Sequence, residues 1–124
     1  MAEVVCDTSF LMLLASKNIK NISNLETEIG TIEFVIPDMV IKELERISHG
    51  KVIKKKTSAT GALQLAKNFK IIEITGKSVD KALILHIKLH KGIVATIDSE
   101  LKKRIKKLGG SILSLTNDRI VLEP

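Results

Sequence analysis

Residues 92–110, GIVATIDSELKKRIKKLGG, leave this chain few ways to fold. Ile93-Val94-Ala95 is an apolar, partly β-branched run too short for a helix, so it reads as a buried strand. Thr96-Ile97-Asp98 closes that strand. From Ser99 to Leu108 the apolar residues Leu101, Ile105 and Leu108 recur at spacings of four and three, and Gly109-Gly110 stops the helix they define. A carboxylate, Asp98, therefore stands where a buried strand turns into a helix. In open α/β sheets the edge outside the carboxyl ends of the strands is where sites are built.

The rest of the chain supplies partners for that carboxylate. Glu3-Val4-Val5-Cys6 does not alternate and reads as a buried first strand. Asp7-Thr8-Ser9 follows, with Asp7 or Ser9 a candidate cap for a helix from Phe10 to Ala15. Ile22, Leu25 and Ile29 predict a second helix within residues 18–31. Phe34-Val35-Ile36 is a second strand closed by Pro37, and Asp38 is placed to cap a helix from Met39 to about His49.

At about 100° per residue, Met39, Val40, Leu44 and Ile47 share one apolar arc of that helix. Glu43 falls inside the arc and Glu45 points to solvent. A carboxylate on a buried face costs several kcal/mol unless it is paired, protonated or on a cation. A rim position paired with Lys42 or Arg46 and a place in a site are both open for Glu43. KVIKKK (51–56) reads as a solvated helix start or loop. A helix then runs from Thr57 to Phe69 with Ala59, Leu63, Leu65 and Ala66 inward, and Ile71 to Ile74 forms a third strand.

Ser78 caps a helix from Val79 to about His90. Asp80 lies between Ile84 and Ile87 on an apolar arc, though its first-turn position also suits a carboxylate through the helix dipole. His86 and His90 are four apart, but no third nitrogen or sulfur ligand lies nearby in sequence, so they read as packing or surface residues. Ser111 to Leu115 is a fifth strand, 116–119 a turn that holds Asp118, and Ile120-Val121-Leu122 a short edge strand.

Strands alternating with helices imply right-handed crossovers. The expected fold is a single domain over 1–124, a three-layer α/β/α sandwich around a parallel sheet of about five strands in the order 3-2-1-4-5. In that order the first and fourth strands are neighbours, so Asp7 and Asp98 face each other across the switch point. Glu43 and Asp80 lie on helices that can pack toward the same edge.

Four clustered carboxylates cannot all ionise unaided. A hard divalent cation, Mg²⁺ or Mn²⁺, resolves the repulsion through oxygen ligands. Cys6 is the one cysteine, and with no Cys/His cluster zinc is disfavoured. The net charge of +6 suits a polyanionic partner and is equally compatible with mere solubility. Aromatic residues make up 2 % of the chain, with no Trp or Tyr, so no aromatic platform for bases is available and nucleic acid would be held through its phosphates. Carboxylates holding such a cation beside basic patches suit phosphodiester hydrolysis. No apolar run approaches the roughly 20 residues that span a bilayer. The N-terminal stretch holds Glu3 and Asp7 and lacks the basic start of a signal peptide. With a single cysteine, the expected location is the reducing cytoplasm.

Three segments, VVCDTSFL (4–11), IKELERI (41–47) and SVDKALILHIKLHKGIVATIDSELKKRIKKLGG (78–110), in that order resemble PIN-domain proteins. This is a family of metal-dependent ribonucleases that includes VapC-type toxins and ribosome-biogenesis nucleases. The last segment is the most specific: an acid near a helix start, then 18 residues on (98 − 80) an acid after Val-Ala-Thr, then a basic helix ending in Gly. Carried over by position, the family's acidic site falls on Asp7, Glu43, Asp80 and Asp98, and its supporting hydroxyls on Thr8, Ser9 and Thr96. The resemblance implies an α/β/α sandwich, Mg²⁺ or Mn²⁺, RNA as substrate and homodimers. KVIKKK and the LTNDRIVLE tail resemble archaeal proteins related to small-subunit ribosomal RNA processing.

The functional expectation is a metal-dependent endoribonuclease. Asp7 and Asp98 would be direct metal ligands, with Glu43 and Asp80 completing the shell. Lys54, Lys55, Lys56, Lys102, Lys103 and Arg104 are candidates for phosphate contacts, which position RNA without reading sequence. Two alternatives carry different biology: a VapC-type toxin held by an antitoxin, or an RNA-binding ribosome-assembly module whose acids hold a structural ion.

Overall fold

The structure is a computed structural model and describes residues 2–17, 30–116 and 119–123. The first strand, β1 (Ala2–Cys6), leads into α1 (Thr8–Ser16). Then come β2 (Ile32–Pro37), α2 (Asp38–Ser48), α3 (Ile53–Ala66) and β3 (Lys70–Ile72). The second half runs α4 (Val79–His90), β4 (Ile93–Ala95), α5 (Ser99–Lys107), β5 (Ser111–Thr116) and β6 (Arg119–Glu123). Most of the helix expected within residues 18–31, and Asp118, lie outside the described residues.

The six strands form one sheet in the order β3-β2-β1-β4-β5-β6. Every pairing is parallel except β5 with β6, which is antiparallel. The order reverses between β1 and β4, and Cys6 pairs with Ala95 at that point. Right-handed crossovers then send the helices to opposite faces. Helix α3 packs against both α1 and α2, and α4 packs against α5.

Burial follows from the lack of alternation in the central strands. Val4, Val5 and Cys6 of β1, Val94 and Ala95 of β4, and Ile112 and Leu113 of β5 are all buried. From the helices, Phe10, Leu11, Val40, Leu44, Leu83, Ile87, Leu101 and Ile105 close over the two faces. Burial of this kind is worth about 1.5–3 kcal/mol per large side chain. Helix α5 stops at Gly109, whose φ of +86° is open to glycine at no steric cost.

Four local expectations are corrected. Asp38 does not cap α2. The N-cap is Pro37, and Asp38 is the first helical residue. Its Oδ1 instead accepts from Met39 N at 3.0 Å and Ile74 N at 3.3 Å, tying the start of α2 to the segment after β3. Helix α3 begins at Ile53, four residues before the expected Thr57 (57 − 53), and takes in the lysines. Asp80 is exposed on the first turn of α4, because the wheel gives a direction around the axis but not how far packing extends along it. β6 pairs with β5 from Arg119 to Glu123, beyond the expected Ile120–Leu122.

Candidate active site at the strand switch point

The site starts at the C-terminal ends of β1 and β4. Asp7 N donates to Ala95 O at 2.9 Å, continuing the ladder one step past the strand. Asp7 then has extended backbone (φ −79°, ψ 157°) and caps α1. Its Oδ1 accepts from Thr8 N at 2.9 Å. Its Oδ2 accepts from Thr96 Oγ1 at 2.8 Å and Ser9 Oγ at 3.2 Å. The carboxylate is thus fixed from both strand ends, and only 6 % of the residue is exposed.

Asp98 is the N-cap of α5, and its Oδ1 accepts from Glu100 N at 2.9 Å and Leu101 N at 3.2 Å. Its own N–H donates to Thr96 Oγ1 at 3.1 Å. One buried hydroxyl, on Thr96, therefore holds the carboxylate of Asp7 and the backbone of Asp98 together. Ser9 and Thr96 are both engaged with Asp7. Thr8 Oγ1 is buried and has no hydrogen-bond partner.

All four expected acids, Asp7, Glu43, Asp80 and Asp98, line one open cavity of about 510 Å³, within the usual size of ligand sites. They come from β1, α2, α4 and β4. Their mutual repulsion is visible in two of them. Burial is the main cause that pushes the Asp7 carboxyl above its ordinary range, opposed by its hydrogen bonds and reinforced by the Asp80 charge. Asp80 is also raised, by desolvation and by the charges of Asp98 and Glu43, against the pull of Arg104.

The donor chemistry of this wall fits a hard divalent cation: carboxylate and hydroxyl oxygens, with an orphaned buried hydroxyl on Thr8. Among the described residues, no three acidic, histidine or cysteine side chains form a ready cage for an ion. Occupancy would therefore take rotation of a carboxylate, or water between carboxylate and ion.

The same cavity is also lined by basic and apolar residues. Arg46, Lys51 and Lys55 line it with Met12, Ile47 and Val52. Of the expected phosphate contacts, Lys55 faces this cavity, and Lys54 and Lys56 are exposed on the same helix. Lys102 is turned into the fold, donating to Ser114 Oγ at 2.7 Å and Glu123 Oε2 at 3.1 Å. Lys103 is exposed, 3.9 Å from Glu100. Arg104 lies within electrostatic reach of Asp80. His86 and His90 stand apart from the acids, in a separate cavity with Glu73.

Sequence reasoning passed over Arg46 and Lys51 as wall residues, and Met12, Ile47 and Val52 as its apolar part. Arg46 had a signal: it follows Glu43 by three on α2, so both share a side of the helix. The others arrive through the turn between α2 and α3, which no local pattern announces.

Residues 4–118 match the family described as PIN like domain. The chain belongs to this family. It is 33 % identical over 109 residues to Ribonuclease VapC4 of Methanocaldococcus jannaschii, covering 85 % of this chain and 83 % of that protein. It is 32 % identical over 117 residues to Ribonuclease VapC9 of Archaeoglobus fulgidus, covering 94 % and 85 %. Among solved structures it is similar to the PIN domain endonuclease Utp24, with 31 % identity, a TM-score of 0.71, and coverage of 95 % of this chain and 90 % of that one. No helix among the described residues is long and apolar enough to cross a membrane.

Proposed function

We propose that this PIN-like chain is a divalent-metal-dependent endoribonuclease that works as a single domain in the cytoplasm. The observation that carries the reading is the single cavity lined by Asp7, Glu43, Asp80 and Asp98 together with Arg46, Lys51 and Lys55. Carboxylates and cations in one cavity suit a phosphodiester, which needs groups that hold a metal and groups that hold phosphate. The ribonuclease names of two relatives support the same chemistry.

Asp7 and Asp98 would hold Mg²⁺ or Mn²⁺ directly. Thr96 and Ser9 keep Asp7 oriented for that task. Glu43 and Asp80 would complete the shell, directly or through water, and one of them would orient the attacking water. The chemistry such an ion supplies when bound is acidification of water and stabilisation of charge on the phosphate and leaving oxygen. Arg46, Lys51 and Lys55 fix the RNA backbone, with Lys54, Lys56, Lys103 and Arg104 extending the basic surface along it.

Two of the relatives bear the VapC name, which favours a second reading of the biology: a toxin held by an antitoxin, with the same fold and chemistry. The resemblance of KVIKKK and the LTNDRIVLE tail to archaeal ribosomal RNA processing proteins supports ribosomal RNA as a substrate, and the family resemblance supports a homodimer.

The test is cleavage of a mixed pool of structured and single-stranded RNA with and without Mg²⁺ or Mn²⁺, with Asp98→Asn as the control. Cleavage that needs the cation and vanishes in the variant is the expected result. Metal-dependent cleavage that persists in Asp98→Asn overturns the site.

A further inference from the structure

The turn between α2 and α3 breaks two local rules at one place. Val52 is the N-cap of α3, with φ −82°, ψ 107° and no side-chain cap hydrogen bond. Valine is among the poorest residues there, whereas serine or aspartate would satisfy an orphan N–H. Val52 also leaves 57 % of its surface exposed, and Ile53 beside it 79 %. A residue that serves neither capping nor burial points to a use in binding.

The surroundings indicate what binds. Val52 lines the carboxylate cavity, with Met12 and Ile47 on the same wall and Lys51 and Lys55 beside it. Ile53 stands next to Val52, followed by the exposed Lys54 and Lys56. An apolar surface set among the cations Lys51, Lys54, Lys55 and Lys56 is complementary to a group that is apolar on its faces and anionic at its edge. A nucleotide has that character. The aromatic residues cannot serve instead. Phe10 and Phe34 are buried, and Phe69 packs on Phe34 with ring centroids 5.5 Å apart. Val52, which lines the cavity, and the exposed Ile53 next to it in the chain are the aliphatic surface offered to a base.

Resting on the ribonuclease reading, we propose that Val52 and Ile53, with Met12 and Ile47 behind, form a docking shelf for one unpaired base of the RNA next to the phosphate that is cut. Lys51 and Lys55 hold the phosphates on either side of that base. In a duplex the base faces are already stacked on their neighbours, so the shelf selects unpaired over paired RNA. It offers no hydrogen bonds to base edges, so it tolerates any base.

The test uses the full chain carrying Asp7→Asn, so that RNA is bound without being cut, in Mg²⁺ buffer. Its affinity is compared with that of the same chain carrying Val52→Ser and Ile53→Ser. The probes are a short unstructured oligoribonucleotide, the same oligomer with abasic central positions, and a blunt RNA duplex, each read by fluorescence anisotropy. The double change is expected to weaken binding of the unstructured oligomer roughly five- to tenfold. It should leave binding of the abasic oligomer and the duplex unchanged. The melting temperature should hold or rise, because serine supplies the cap that valine lacks. A weaker RNA complex on an equally stable fold separates a binding role from a structural one.

The abasic oligomer tests the same contact on the parent chain with no alteration of the shelf. Binding of intact and abasic oligomers with equal affinity overturns the shelf. So does equal binding of the unstructured oligomer by both proteins. If Lys54→Ala/Lys55→Ala/Lys56→Ala still weakens that binding, the ribonuclease reading stands, and the apolar pair is a surface for a protein partner. A parent chain that binds none of the three RNAs overturns the shelf and the ribonuclease reading together.

Discussion

Thr96 Oγ1 donates to Asp7 Oδ2 at 2.8 Å, joining residues 89 positions apart in the chain. The same oxygen accepts from Asp98 N at 3.1 Å, and Thr96 is fully buried. Thr96→Val keeps the shape and deletes both bonds. Leaving such groups unsatisfied costs about 1–3 kcal/mol. Urea denaturation should show that loss, and cleavage should fall with it because Asp7 loses its anchor to β4. A variant as stable as the parent would show that the hydroxyl is not what joins the two strand ends.

Asp7→Asn separates function from stability. Burial raises the Asp7 carboxyl above its ordinary value of 3.8. A carboxyl whose folded pKa is raised contributes stability below its unfolded pKa and loses it as pH rises through the folded value. In cation-free buffer Asp7→Asn removes that loss, so at neutral pH the variant should be at least as stable as the parent. The two should converge in acid. Cleavage should drop roughly 100-fold or more, beyond what loss of an outer partner of a metal ligand costs. Melting curves across pH, with and without Mg²⁺, check both halves.

At the far edge of the sheet the sign reverses. Glu123 Oε1 accepts from Lys106 Nζ at 2.8 Å and Oε2 from Lys102 Nζ at 3.1 Å. The Lys106 hydrogen bond is the main cause that holds the Glu123 carboxyl below its ordinary value of 4.5, with Lys102 adding to it. Its contribution is present above about 4.5 and lost as pH falls through the lowered value. Glu123→Gln should cost about 0.5–1 kcal/mol at neutral pH in low salt, screened at high salt. The cost should vanish once the parent carboxyl is protonated, which denaturation at two pH values would reveal.

Gly76 admits no side chain. A Cβ there would stand 2.8 Å from Ala82 N and 2.9 Å from Ala82 Cα. These are backbone atoms of α4, two residues beyond Asp80. Gly76→Ala should therefore push the first turn of α4 outward, at about 1–3 kcal/mol. Cleavage should fall more than the stability loss alone explains. Unaltered cleavage at full folding would mean that Asp80 need not be held in place.

What was legible in the sequence depended on how local its cause was. The ends of β1 and β4 could be read because a buried parallel strand is a continuous apolar run, so the acid that ends it is conspicuous. Ser78 announced α4 through its own capping chemistry, which its bond from Lys81 N at 3.2 Å realises. The start of α3 was hidden because Val52 gives no capping signal. Asp38 looked like a cap because Asp before an apolar helix often is one, but its Oδ1 is taken by Ile74 N, a residue 36 positions away. Lys102 looked like any lysine of a basic helix. Only β5 and the return of β6 beside it bring Ser114 and Glu123, respectively, to its ammonium. The basic and apolar wall was illegible for the same reason: Met12 and Val52 meet through packing of α1, α2 and α3, not through any pattern along the chain.

The acids of the cavity come from β1, α2, α4 and β4, so the site cannot be assembled from any short stretch of the chain. During synthesis Asp7 and Glu43 leave the ribosome first. Asp98 follows Asp7 by 91 residues (98 − 7), roughly 5–20 s later at ordinary elongation rates. Until β4 slots in beside β1, Asp7 lacks the Thr96 bond that orients it, and α5 has not yet formed to fix Asp98. The order of the strands thus makes completion of the site depend on the pairing of β4 with β1, late in the chain.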